Sequence, residues 1–529
     1  MSRLTPIRAL CAVLAVWAAA YLLYLGNPEI KGEEGRRIFP AIAMLEGGSW
    51  VVPSVGGEMY YNKPPGINWL VAGSFVLTGQ RDEFAARLPS ALGVLALATL
   101  MALLPTRSVT PRARLLAALL LLTSVGMLEK GRLIEIDAVY SCFAGAAVVW
   151  WVYRSHHRPR GIDTWLVPSL LLAAGALVKG PFLAAAFYPV VAATLLYRRR
   201  LRDLWCWPHL LGIAAILGIC LGWVALAQAQ ADAARMADIW SRQLARRFAP
   251  VEFGVGEWFE GMGMSFVLCL PTLLLVPLAF VPSWTRNVDG HSLAEFRGLR
   301  AGAVAGFALL LMMPLLEARY ILPALPGLCL LAAWVFEAHR APARGEKAMR
   351  IALLVGFAGV AVAVTAAAIV GDMVAAGVVL AIAAIVSAAV AFAVRKRITG
   401  GFAMVTALCV VIAIGASAMN VLSDPYRRKA ERRRPAAAAL DDALAEAPNV
   451  HVWRAGYEPF LYYVRHPVRY VVESGDIDAG EHMLLVRRRD LLDPALAYAL
   501  AGRDAPVVHK VSERIAGRWF LLTVARAGP

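Results

Sequence analysis

Glu33 and Glu34 are followed almost at once by Arg36 and Arg37, just beyond an apolar run long enough to cross a bilayer. A carboxylate can take the proton of an attacking hydroxyl, and an arginine can grip a phosphate with two parallel hydrogen bonds. Further along, charges recur beside turn formers. Lys63 precedes two prolines, Lys179 precedes Gly180-Pro181 inside an apolar run, and Asp137 sits at the apolar entry to a helix. A single Lys or Arg near a helix end commonly just snorkels to water. Several acids and bases at membrane depth read instead as one shared functional site, because such groups are costly to place there. The chemistry they match is displacement at a phosphate-bearing carbon. Lys63, Lys179 and Arg36 would stabilise the leaving phosphate, and Glu33, Glu34 or Asp137 would act as base.

The elements that position these residues follow from composition. Of 529 residues, 59% are hydrophobic and 17% charged, and the mean hydropathy is +0.61. That is the balance of a polytopic membrane protein. The net charge of +16 sits mostly in short Lys/Arg clusters between apolar runs, the pattern of cytoplasmic loops rather than of a nucleic-acid module. Seven scattered cysteines include no C-x-x-C pair, which argues against a zinc site or a disulfide framework.

Apolar runs near 8–25, 88–104, 115–127, 138–153, 166–178, 181–197, 210–229, 264–281, 301–315, 321–336, 351–370, 373–394 and 402–422 predict about thirteen transmembrane helices. The stretch 65–77 is a further span or an interfacial helix. With the N-terminus inside, six alternate loops carry the Lys/Arg clusters, for example 198–202 and 395–397. The odd count puts the tail outside. The tract "RRKAERRR" from Arg427 then falls on the outer side, where it is expected to lie on anionic headgroups. From Asp424 the composition turns polar, with strand-like runs "NVHVWR", "VRYVVE", "MLLVRRRD" and "RWFLLTVARA". The expected fold is therefore mostly α: a membrane helix bundle over 1–423 and a small soluble α/β domain over 424–529. In the first outer loop, Ile38, Ala41, Ile42 and Leu45 at helical spacing predict an interfacial helix over 36–45 that holds Glu33 and Glu34 above the bundle. "YYNKPP" returns Tyr60, Tyr61 and Lys63 to the same depth. Glu129 and Glu135 read as solvated.

The order "EEGRR … GGSWVVPSVGGEMYYNKPPGINW … GRLIEIDA … LVKGP … RYILPALP" resembles the polyprenyl-phosphate-dependent GT-C glycosyltransferases, above all the bacterial lipid A aminoarabinose transferases and the protein O-mannosyltransferase-like group. The resemblance implies an inner-membrane enzyme that moves a sugar from undecaprenyl phosphate to lipid A, another glycan or a protein, on the periplasmic side. It implies Glu33, Glu34 and Asp137 as catalytic residues and Lys63, Lys179, Arg36, Tyr60, Arg319 and Tyr320 around the donor phosphate. It leaves room for Mg or Mn on Glu33 and Asp137. The family's Asp-Glu pair reads Glu33-Glu34 here, Arg-Tyr reads Arg36-Arg37, and the Glu before Lys-Pro-Pro is Asn62. A polytopic lipid or polysaccharide transporter is the competing reading, and the lack of self-similar halves and of mid-helix charges weighs against it.

Overall fold

A computed structural model describes residues 4–248, 254–338 apart from 287 and 289, 401–445 apart from 423, 425, 426, 429 and 430, 450–473, 482–500, 507–510 and 519–524. The spans expected at 351–370 and 373–394, and the basic loops at 340–350 and 395–397, lie outside the described residues. The chain divides into two compact units. One comprises Met1–Leu25, Asn62–Ile67 and Arg87–Ser423, and the other Gly26–Tyr61, Asn68–Ala86 and Asp424–Pro529.

The first unit is helical. Five helices are long and apolar enough to span a bilayer: Glu83–Leu103, Ile136–Ser155, Ile162–Lys179, Trp207–Gln230 and Ala318–Phe336. A sixth crossing is made if Val255–Leu268 and Thr272–Phe280, bent by 84°, form one span. Pro6–Leu22, Gly66–Thr78, Pro181–Tyr197 and Val405–Val421 are apolar but shorter. The chain is thus a multi-pass membrane protein. The apolar run expected at 115–127 is interrupted: Pro111–Thr123 and Val125–Lys130 meet at Ser124, whose backbone is extended. The hydroxyls of Thr123 and Ser124 donate to carbonyls one turn back at 2.8 and 2.7 Å, so the break leaves neither hydroxyl unsatisfied. Leu293–Leu311 packs on Ala184–Tyr197 through Gly298, Gly302 and Gly306. A Cβ at Gly298 or Gly302 would come within 2.3 Å of the facing backbone. Small residues one turn apart let two membrane helices approach where lipid offers no hydrophobic drive to hold them. Trp207–Gln230 is different: only 11% of its apolar window is buried, so it presents Leu211, Leu217, Leu221 and Leu226 outward to lipid.

In the second unit, a 3-10 turn over Gly32–Glu34 leads into the helix Gly35–Leu45. Strands β1 (Ser54–Val55) and β2 (Glu58–Met59) form a hairpin closed by Gly56 and Gly57, with φ of +59° and +83°. Positive φ at both central residues makes the two-residue turn whose twist suits a hairpin. The strand-like runs of the tail fall on β3 (Val450–Trp453), β4 (Arg469–Val471), β5 (His482–Arg487) and β7 (Trp519–Val524), joined by β6 (Val507–Lys510). The sheet runs β4-β3-β5-β7-β6, with β3 parallel to β4 and β5 and the remaining pairs antiparallel. Alternation divides the side chains. Val450, Val452 and Leu485 pack with Leu440 and Leu444 of the helix Arg433–Leu444 on one face, and Trp453, Val471, Leu484 and Val486 pack with Leu496 on the other. The basic tract does not simply lie free for headgroups. The backbone amides of Arg433 and Arg434 donate to Glu29 at 3.0 and 2.8 Å, and the Arg434 guanidinium pairs with Glu83. These carboxylates lie within the same unit and answer part of the tract's charge.

Candidate functional site

In the first unit two helix ends converge. Asp137 lies in the first turn of Ile136–Ser155, and its side chain is 4% exposed. Lys179 is the last residue of Ile162–Lys179, and its ammonium binds Asp137 Oδ1. Arg319 Nε approaches Asp137 Oδ2 at 3.6 Å from the 3-10 turn Ala318–Ala324. The Lys179 ammonium also stands 4.2 Å over the Tyr320 ring and 5.7 Å from that of Tyr140. Gly180 ends the helix at φ +109°, and its carbonyl accepts from Tyr140 Oη at 3.0 Å. That backbone conformation is open to glycine almost alone, so Gly180 fixes how the chain leaves Lys179. Glu135, expected to be solvated, is largely buried and lies 3.1 Å from Lys130. Burial pushes its carboxyl up despite that lysine. Burial works to lower Lys130, but Glu129 and Glu135 hold it above its ordinary value.

Beside this cluster is a cavity of about 260 Å³, lined by Lys63, Lys179, Asn62, Gln243 and apolar walls that include Phe182 and Trp223. Lys63 Nζ donates to Gln243 Oε1 at 3.4 Å, and Gln243 Nε2 donates to Asn62 Oδ1 at 2.8 Å. Gln243 and Trp240 come from the helix Ala233–Phe248, and Trp240 stacks on Trp223 with centroids 5.5 Å apart. The wall built from Cys220, Trp223 and Val224 belongs to the lipid-facing helix Trp207–Gln230. Two ammonium groups therefore face one cavity with a greasy wall. That arrangement suits an amphiphile with an anionic head.

The remaining predicted residues lie in the second unit. Glu33 Oε2 accepts from Arg36 Nη1 at 2.9 Å and lies 3.9 Å from Arg37 Nη2. Arg36 Nη2 donates to Tyr457 Oη at 2.5 Å. Glu34 is buried, and its Oε2 accepts the backbone N–H of Lys31 at 3.1 Å, capping the turn that starts the helix. Arg37 is buried too, and its Nε and Nη1 have no hydrogen-bond partner. Tyr60 closes the hairpin, its N–H donating to Pro53 O at 2.7 Å, and its side chain is half-buried.

These residues do not fit a resident divalent cation. Asp137 is bracketed by an ammonium and a guanidinium, Glu33 by two guanidiniums, and among the described residues no three His, Cys, Asp or Glu side chains are grouped to ligate a metal. The cations already supply the positive charge a metal would bring.

Sequence reasoning passed over Gln243, Trp223, Trp240, Tyr140 and Tyr457. A lone glutamine on an amphipathic helix has no distinguishing pattern, and Tyr457 lies 421 positions from Arg36. Only the "KGP" break carried a readable signal for this neighbourhood.

Residues 62–224 match the family described as dolichyl-phosphate-mannose-protein mannosyltransferase. The chain is 29% identical over 347 residues to the undecaprenyl phosphate-alpha-4-amino-4-deoxy-L-arabinose arabinosyl transferase of Pseudomonas savastanoi pv. phaseolicola, a match covering 64% of this chain and 63% of that protein. To the enzyme of the same name from Pseudomonas aeruginosa strain UCBPP-PA14 it is 30% identical over 339 residues, covering 60% and 58%. The chain thus spans less than two thirds of these relatives' length. In fold it is similar to the crystal structure of ArnT from Cupriavidus metallidurans bound to undecaprenyl phosphate, with a TM-score of 0.73 at 19% identity over 99% of both chains. The apo structure of that protein gives a TM-score of 0.70.

Proposed function

We propose that this chain is an integral membrane glycosyltransferase that moves a sugar from a polyprenyl phosphate, undecaprenyl phosphate by analogy with its relatives, to an acceptor on the outer leaflet or in the periplasm. One observation carries the reading: Lys63 and Lys179 line the same cavity, and its apolar wall belongs to a helix that faces lipid. An ammonium pair suits the phosphate and the greasy wall suits the isoprenoid. The relatives' names describe a donor with both features.

In the reaction proposed, the bond between the anomeric carbon and the phosphate oxygen breaks, and one forms between that carbon and the acceptor oxygen. The phosphodiester's single charge becomes the double charge of polyprenyl monophosphate, and Lys63 and Lys179 stabilise that gain. Asp137 and Arg319 hold the Lys179 ammonium in place, and Tyr320 gives it an aromatic face. For a hydroxyl acceptor, Glu33 is the proposed base, with Arg36 and Arg37 orienting its carboxylate. This role rests on the sequence motif and on the geometry inside its own unit. Glu34 is the less suitable base because its carboxylate caps backbone. For a phosphate acceptor, as on lipid A, no base is needed and Glu33 would orient the sugar. A catalytic metal is not part of the scheme.

The finer architecture is also proposed: about thirteen spans, a cytoplasmic N-terminus, a soluble periplasmic domain over 424–529 and placement in the bacterial inner membrane. The test is to incubate purified protein with a panel of undecaprenyl-phosphate sugars and an outer-leaflet lipid and glycan extract. Release of undecaprenyl phosphate that is lost in Lys63→Ala supports the reading. No release from any donor overturns it.

A further inference from the structure

The polar lining of the cavity speaks to the sugar as well as the phosphate. Among the described residues that line it, none is aspartate or glutamate. The polar side chains are Lys63, Lys179, Asn62 and Gln243. The nearest carboxylate in this cluster, Asp137, is already bracketed by Lys179 and Arg319, so the surroundings stay net positive. A protonated amino group on the sugar would stand beside two ammonium ions in a cavity walled by apolar side chains. Like charges at that range repel strongly when little water screens them. A sugar bearing only hydroxyls meets no such penalty. The Asn62 and Gln243 amides, 2.8 Å apart, offer both donors and acceptors to hydroxyl groups. The stacked Trp223 and Trp240 rings offer an apolar surface to a ring face.

We infer that, given the transferase reading on which this rests, the donor sugar is a neutral hexose or pentose and not an amino sugar. The lysines select the phosphate, and the amide pair selects an uncharged polyol beside it.

Equilibrium binding to the full chain in lipid nanodiscs tests this without knowledge of the acceptor. Three probes are compared: undecaprenyl phosphate itself, undecaprenyl phosphate carrying glucose or mannose, and undecaprenyl phosphate carrying 4-amino-4-deoxy-L-arabinose. The neutral-sugar probes are expected to bind at least tenfold more tightly than the amino-sugar probe. Asn62→Glu places a carboxylate in the lining and is expected to narrow or invert that ratio, and Asn62→Gln, which keeps the amide, to preserve it. Equal or tighter binding of the amino-sugar probe, with undecaprenyl phosphate still bound, overturns the specificity and leaves the transferase reading standing. Failure to bind any of the three, undecaprenyl phosphate included, overturns both.

Discussion

At the scale of single residues, the two proposed sites of charge differ in how deeply they are committed to the fold, and mutation separates them. The Glu33 side chain is 35% exposed, and its pairs with Arg36 and Arg37 are of the half-solvated kind that contributes under about 1 kcal/mol. Glu33→Gln is therefore expected to leave the apparent melting temperature within a degree or two while transfer falls by about a hundredfold or more, the range for losing a general base. Retained turnover would remove Glu33 from the mechanism. Asp137 and Lys179 are the opposite case, with side chains 4% and 8% exposed. Breaking a buried pair from one side leaves an uncompensated charge and costs about 3 kcal/mol or more. Lys179→Met should therefore be clearly destabilising, and it removes a phosphate-binding charge as well. The residual Asp137–Arg319 contact at 3.6 Å cushions the loss. Adding Asp137→Asn should recover part of the stability but none of the activity. Melting curves and initial rates on the two singles and the double decide this, and additive stability losses would show that the pair is not coupled. These residues were visible in the sequence because charge beside Gly or Pro at membrane depth is conspicuous. Their partners were not. The pairing of Arg36 with Tyr457 and of Lys63 with Gln243 depends on contacts that span most of the chain and leave no local pattern.

At the scale of elements, the position of Lys179 depends on where its helix stops. The apolar stretch from Leu166 to Tyr197 contains little but the Gly180-Pro181 pair to divide it. In the structure one helix ends at Lys179 and a 3-10 turn begins at Pro181. Gly180 holds φ +109° and ψ −179°, and a Cβ there would meet nothing within 4 Å. The cost of Gly180→Ala is thus purely one of backbone conformation, about 1–3 kcal/mol. The helix end should re-form in another geometry and move the Lys179 ammonium from Asp137. The expected readout is a rise of tenfold or more in the dissociation constant for undecaprenyl phosphate, with membrane insertion unchanged. Gly73→Ala serves as the control, because Gly73 lies inside a helix at ordinary φ with nothing within 4 Å of its Cβ. A Gly180→Ala variant that binds normally would show that the turn does not position the lysine. Helix interiors were legible because apolar runs of fixed length declare themselves. The breaks at Ser124 and at Leu268–Thr272 were not, because each satisfies its backbone from within the apolar run and interrupts no hydropathy.

At the scale of the whole molecule, the orientation proposed from the basic loops makes a prediction that does not depend on the chemistry. Arginine clusters are retained on the cytoplasmic side because translocating them is unfavourable. The cluster at Arg198, Arg199, Arg200 and Arg202 stands between the helices Ala184–Tyr197 and Trp207–Gln230. Asp203 receives Arg160 at 2.7 Å and Arg200 at 2.8 Å, so the loops that carry these charges are tied together at one end of the bundle. A Glu58→Cys or Asp442→Cys substitution, by contrast, lies in a segment assigned outside. The seven native cysteines are free and mostly buried, so a background with each replaced by Ala or Ser is attainable at modest packing cost. In intact cells a membrane-impermeant maleimide should label Cys at 58 and 442, and should label Cys in place of Arg199 only after the membrane is opened. The reverse pattern would invert the enzyme and place the Lys63–Lys179 cavity at the cytoplasmic face. A periplasmic acceptor could not then be served. Labelling at 58 but not at 442 would instead mean an even number of spans, which would return residues 424–529 to the cytoplasm. The two positions therefore test the face of the site and the parity of the bundle separately.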